Sequence, residues 1–449
     1  MKTSLKIVSD NPNYLAQVIR LGPVNKHPNA DKLQTTVCNG CSVITGLAAK
    51  EGNLYIYFPI ESTINKEYLS YSNSFSDAEL NKNKEIKGFF VKTGRVRAIK
   101  LRGMVSEGYI VPAADIKEWL GTQKIDVEFE EGVSFDYIGD IKFCEKYCLP
   151  VRNSGITSKS DKKVKRESKL VDKQFRLSLD LEHLKRNLFK LNLEDQISIT
   201  YKMHGANAAM GRVLCKRPLN LIEKLLKLCR VKIQESHYDL VYASRKVIKN
   251  QYADKNHESF YSEDIWGAVA QKYKDSIKDG ITLYGEIVGQ QSNGGWIQKE
   301  YDYGLAANTF DFFVFRITYT NASGDVFDFS LPQIKRYCQK MGLKMVPIFY
   351  YGTIEDYLWE NNREMDFFDG ECFTSGWRDT NWREQMLNAL IKNYTEKNCY
   401  LCKNKVPEEG VVLAVENDIV EPFKLKSLKF LERETKLLDN DEINVEDAQ

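Results

Sequence analysis

A lysine with a histidine and a glycine close behind it, a glutamate on a strand-like run, a Glu-Gly pair and two lysines one residue apart follow one another along the chain. They are Lys202-Met203-His204-Gly205-Ala206-Asn207, Tyr284-Gly285-Glu286, Glu409-Gly410 and Phe423-Lys424-Leu425-Lys426. These residue types suit a lysine that attacks phosphorus. A free lysine is neutral in only about 0.04% of molecules at pH 7. Neighbouring cations and partial desolvation are what expose its amine. Lys424 and Lys426 sit at the period of a strand, so both point to one side and can face one phosphate cluster. Together with a divalent metal they would offset the charge of a triphosphate that repels a nucleophile. Glu286 and Glu409 are the candidates to hold metal waters or ribose hydroxyls. Gly205 lets the backbone approach a nucleotide closely. Taken singly, each of these residues has an ordinary structural reading; their order together carries the inference.

The elements that must position them are strands. ISITYKMHGANAAMGRVL, ITLYGEIVG, FDFFVFRI and EGVVLAVEN read as buried strands, LDLEHLKRNLFKL has helical periodicity, and RPLNLIEKLLKLCRVK is an amphipathic insert between two strands. Residues 5–112 read as short strands broken at Pro28-Asn29, Asn39-Gly40 and Glu51-Gly52-Asn53, which predicts a small barrel. Residues 152–174 collapse into a Ser- and Lys-rich stretch, the expected linker. The predicted organisation is a β-barrel domain over 1–150, a basic linker over 151–174, an α+β domain of antiparallel sheets and helices over 175–436, and an acidic tail over 437–449.

The 449 residues suit two or three domains, and a net charge of +2 gives no global sign of nucleic acid. The charge is uneven, however: residues 152–169 carry seven Lys/Arg, and the last eleven residues carry five carboxylates and no base. No apolar leader opens the chain and no membrane-length apolar run occurs, so a cytoplasmic location (the host cytoplasm if the source is viral) and no membrane partner are expected. The ten cysteines are expected as thiols. Cys38/Cys41 and Cys399/Cys402 each supply half of a zinc site, and Asn39-Gly40 between the first pair predicts a hairpin turn in its place.

The ordered segments resemble the covalent nucleotidyltransferase superfamily of polynucleotide ligases and RNA capping enzymes. By that resemblance Lys202 takes the nucleotide, Arg245 in VYASRKVIKN meets the RNA end, and Glu286 and Glu409 are the metal residues. A phenylalanine of FDFFVFRI stacks on adenine; alignment favours Phe312, with Phe313 next. ATP or AMP would then meet Lys202, His204, Asn207, Glu286, Phe312, Glu409, Lys424 and Lys426, with Lys202, Lys424 and Lys426 catalytic. Lys-x-His-Gly-x-Asn is similar to the RNA ligase 2-like branch; DNA ligases and capping enzymes usually have Asp at the His204 position. Phe315-Arg316-Ile317 departs from the usual Phe-Asp-Ile, which puts a role for that acidic position in doubt.

Residues 51–62 and 97–108 resemble the N-terminal OB-fold of Naegleria/Deinococcus-type RNA ligases (the RNA ligase 5 group), and His204 leans toward the Deinococcus side. The resemblance covers roughly residues 5–145 and 175–435. It implies ATP-dependent sealing of RNA 3′-OH and 5′-phosphate ends with Mg2+ or Mn2+, on nicked duplex or broken structured RNA, by a protein expected as a monomer. Arg95, Arg97, Lys100 and Arg102 beside Phe89 and Phe90 are the expected RNA contacts of the barrel. His27-Pro28-Asn29-Ala30-Asp31-Lys32-Leu33 also resembles the start of tRNA-binding OB domains. The alternatives are a DNA ligase or capping guanylyltransferase, and a non-catalytic RNA- or tRNA-binding protein.

Overall fold

Strands of alternating burial such as Ser62–Ile64 and strands buried throughout such as Ile281–Gly289 gather into two compact units. The computed structural model describes residues 2–148, 169–178, 180–253, 261–362 and 381–439. One unit contains the described residues up to 148, Glu182–Lys190 and the helix Leu428–Asp439; the other contains the described residues from 169 to 181 and Leu191–Ser427.

In the first unit a four-stranded antiparallel sheet runs in the order Gly108–Pro112, Leu54–Pro59, Ala16–Arg20, Ser134–Phe135. Val18, Ile56, Phe58 and Val111 join Ile116, Trp119 and Leu120 of the helix Ala113–Thr122 in one core. Each such side chain contributes about 1.5–3 kcal/mol when fully buried. Asn39 and Gly40 have φ of 50° and 72°, the left-handed pair of a two-residue hairpin, so Cys38 faces Cys41 across the turn. The remaining short strands form separate two- and three-stranded sheets.

The helix Leu428–Asp439 belongs with this unit, whereas a boundary at 436 assigns most of it to the other. Phe430, Leu431 and Leu438 are buried. Arg95, 2% exposed, pairs with Asp439 at 2.8 Å and Glu61 at 3.4 Å, and donates to the Thr435 carbonyl at 3.2 Å. The acidic stretch beyond Asp439 lies outside the described residues, as does the linker from 151 to 168.

The second unit contains two antiparallel sheets. One has the order Val420–Lys426, Gly410–Glu416, Gln196–Lys202, Ile348–Thr353. The other runs Ser236–Ala243, Ala206–Lys216, Ile281–Gly289, Phe310–Thr320, Val326–Asp328. Leu170, from the end of the expected linker, bridges to Cys215, and Lys216 N donates to Lys169 O at 2.6 Å. Ala206, Ala208, Met210, Leu283, Ile287 and Phe312 pack with Trp266 and Val269 of the helix Ile265–Tyr273. Among the described residues of LDLEHLKRNLFKL, Leu184–Asn187 is α-helical, followed by a 3-10 turn over Leu188–Lys190. The chain leaves the first sheet at Lys202 and enters the second at Ala206. Met203-His204-Gly205 is therefore the crossing between the sheets.

Candidate active site

Lys202 ends its strand, and the register fixes its neighbours. It stands opposite Gly410, which in turn stands opposite Lys426, so the three form one row across three strands. Rows of this kind share a face. Lys424, two residues before Lys426 and opposite Val412, points to the same side.

Glu409 lies at the head of that row with 0% exposure. Its Oε1 is 2.6 Å from Lys202 Nζ and 3.5 Å from Lys426 Nζ, and its Oε2 is 3.7 Å from His204 Nδ1. A buried carboxylate without such neighbours costs several kcal/mol. Gly410 has φ +136°, and a Cβ there would lie 2.0 Å from the Leu425 carbonyl oxygen, so no other residue fits between the two lysines.

Lys424 is 6% exposed and donates to Asp180 Oδ1 at 2.7 Å; Arg245 donates to the same oxygen at 2.8 Å. Burial, opposed by Asp180 and reinforced by the charges of Lys426 and Lys202, brings Lys424 down to about 8. Arg245, expected at the RNA end, is thus tied to Lys424 through one carboxylate.

On the second sheet Asn207, Glu286 and Phe313 form another row. Asn207 Nδ2 donates to Glu286 Oε1 at 3.2 Å, and the Asn207 carbonyl accepts from Trp266 Nε1 at 2.9 Å. Phe312, the favoured aromatic from sequence, faces away: it is 0% exposed in the core and its ring lies against Gly285. Phe313 shares the face of Glu286. Arg316, the departure from Phe-Asp-Ile, makes a two-point ion pair with Asp328 at 2.5 and 3.0 Å, and its guanidinium lies 4.9 Å from the Tyr284 ring centroid.

The crossing segment is held from below. His204 N donates to Tyr303 Oη at 2.6 Å, the His204 ring meets Tyr301 edge-on at 5.0 Å, and Gln298 Nε2 donates to the Gly205 carbonyl at 3.0 Å. A Cβ on Gly205 would lie 2.5 Å from the Ile287 carbonyl oxygen, which accounts for glycine there. Asp180, Tyr301, Tyr303 and Gln298 escaped the sequence reading, since each acts through a partner that no local spacing announces.

A family model described as RNA ligase matches residues 195–430. The chain belongs to the RNA ligase family. It is an enzyme that joins RNA ends, and the matched span contains every site residue above except Asp180. An OB-fold domain model matches residues 15–113 of the ligase. Among solved structures it is similar to the Naegleria gruberi RNA ligase. A lysine-to-alanine variant of that protein with ATP and Mn has 13% identity and a TM-score of 0.54, over 95% of this chain and 99% of that one. The same protein with PPi has 15% identity and a TM-score of 0.54, over 94% and 99%. At such identities the likeness establishes the fold. No curated protein matches the ligase in sequence.

Of the four basic residues expected to track RNA on the first unit, Arg95 and Arg97 are taken up in ion pairs, while Lys100 and Arg102 are exposed. Arg95 is buried in its ion pairs, Arg97 pairs with Asp439 at 2.9 Å, and Lys100 lies 4.0 Å from Glu432. Arg102 has φ 48° in the Leu101–Gly103 turn, where its carbonyl accepts from Asn29 Nδ2 at 3.0 Å. His27, 1% exposed, accepts from Asn29 N through Nδ1 and contacts the Leu101 carbonyl through Nε2, so it staples its own loop.

Among the described residues no three His, Cys, Asp or Glu side chains come together as a metal cage. A hard divalent ion that keeps waters and phosphate oxygens needs only one or two carboxylates. Glu286, 8% exposed, and Glu409, 0% exposed, are the carboxylates of the two rows. Asn207 Oδ1, buried without a hydrogen-bond partner among the described residues, adds a third oxygen donor on the Glu286 row.

Proposed function

We propose that this ligase captures AMP from ATP on Lys202 and passes it to an RNA 5′-phosphate for sealing by a 3′-OH. The observation that carries the reading is the row Lys202–Gly410–Lys426 with Glu409 buried against both lysines. The Lys202 Nζ lone pair attacks the α-phosphorus, the bond to the β-phosphate oxygen breaks, and pyrophosphate leaves. Glu409 Oε1, 2.6 Å away, is placed to receive the Nζ proton. AMP then moves to the RNA 5′-phosphate, and attack by the 3′-OH expels it. Lys424 and Lys426 stabilise charge on the phosphates in each step. A divalent metal, Mg2+ or Mn2+, held by Glu286 and Glu409 supplies charge neutralisation at the triphosphate when bound. ATP and Mn in the Naegleria structures support this choice of ligands. Nicked duplex or broken structured RNA, a monomeric protein and a cytoplasmic site of action complete the reading.

Phe313, on the face of Glu286, stacks on adenine. Phe313→Ala should raise KM for ATP about tenfold with little change in unfolding free energy. Phe312→Ala should instead cost about 3–5 kcal/mol of stability. Equal stability losses for both would remove Phe313 from the nucleotide site.

Lys424 sets an alkaline limb. Its proton leaves as pH rises through about 8, and the positive charge facing the phosphates goes with it. kcat/KM for ATP in adenylylation should therefore fall above that pH, and the fall should be absent in Lys424→Arg, which stays charged. A wild-type profile that rises unbroken would exclude this role.

Labelling with α-labelled ATP or GTP, followed by sealing of RNA and DNA 3′-OH strands, tests the reading as a whole. ATP label and RNA sealing are expected; GTP label would assign a capping reaction.

A further inference from the structure

The helix Leu221–Leu228 lies between the strands Ala206–Lys216 and Ser236–Ala243 and has no part in the chemistry above. Its large apolar residues turn outward: Leu221, Ile222, Leu225, Leu226 and Leu228 are 84%, 70%, 66%, 40% and 85% exposed. At 100° per residue they occupy one unbroken arc of about 160°. Contacts at the base of the hairpin fix which face points out. Asn220 and Glu223 form a capping box, Arg217 pairs with Glu223 at 2.8 Å, and Lys227 pairs with Glu235 at 2.7 Å. The polar side is thereby tied to the strand ends, and the apolar arc faces away from the protein.

Charge identifies what would cover it. Lys224 borders the arc on one side; on the other stands Glu223, whose charge Arg217 offsets, and exposed Lys216, Arg230 and Lys232 gather at the hairpin base. A second copy would bring like charges together. Nucleic acid would leave the leucines in water. We propose that this helix docks the ligase on an anionic lipid surface, its leucines in the acyl boundary and its cations among the headgroups. The expectation of no membrane partner rested on the lack of a span; among the described residues no helix is long and apolar enough to cross a membrane, but an interfacial helix needs no span. The docking face leaves the site open. Asn207 is the second residue of the strand that Lys216 ends, so the helix lies about 30 Å along that strand from the nucleotide residues.

The test uses the full-length protein with vesicles of phosphatidylcholine alone or with added phosphatidylserine, read by co-sedimentation. The expected result is at least about tenfold stronger binding to the anionic vesicles, weakened by salt. Leu225→Ser/Leu228→Ser should abolish it while adenylylation and RNA sealing stay at the wild-type level. Lys224→Glu/Arg230→Glu, which leaves the leucines in place, should also abolish it. Failure of the wild type to sediment, sedimentation unchanged in either double variant, a wild-type dimer that the leucine variant dissociates, or an equal loss of RNA sealing in that variant would each overturn the proposal.

Discussion

Lys202→Ala should form no protein–AMP adduct, and its sealing of 5′-phosphate RNA should fall on the order of 10⁴-fold or more. The same variant should still seal RNA whose 5′ end already carries AMP. That split follows from the geometry. In the proposed chemistry Lys202 supplies the atom that bonds to phosphorus, whereas Lys424, Lys426 and Arg245 would act on phosphates that are present in the last step as well. Removing Lys202 also relieves Glu409 of its closest cation but leaves Lys426 at 3.5 Å and His204 at 3.7 Å, so the fold should survive. Gel assays with the two RNA substrates, beside a thermal melt, measure all three quantities. Equal loss on both substrates would mean that Lys202 is a positioning residue.

Gly410→Ala should be the most damaging single-methyl change in the site. Its φ of +136° is one that L residues avoid, and the added carbon would meet the Leu425 carbonyl at 2.0 Å. Relief requires the strand Val420–Lys426 to move away, and with it Lys424 and Lys426. A cost of about 2–4 kcal/mol in unfolding free energy is expected, with adenylylation lost even where the protein remains folded. Denaturant unfolding and adenylylation measured on the same sample separate the two effects. A variant as stable and active as the parent would show that the lysine row tolerates displacement.

The lysine spacing made part of this legible from sequence. Lys424 and Lys426 alternate on a strand as predicted, and the Asn39-Gly40 hairpin sets Cys38 opposite Cys41. These are local signals, fixed by backbone period and by φ preference. The choice between Phe312 and Phe313 was not local: FDFFVF is apolar on both faces, and only the strand register puts Phe313 on the Glu286 row. Arg95 shows the same limit for charge. Four bases in eight residues looked like a phosphate track, but Asp439, 344 positions away, pairs with two of them. Asp180 carried no motif at all. Its part appears only where two strands bring Lys424 and Arg245 to one oxygen.

One particular amine, Lys202 Nζ, is expected to carry the nucleotide. After incubation with ATP and Mn2+, the protein should be digested and its peptides mapped by mass spectrometry. AMP on Lys202 alone, released by added pyrophosphate, is the predicted result. AMP on Lys424, Lys426 or any other side chain, or no adduct in protein first stripped with pyrophosphate, would contradict the account.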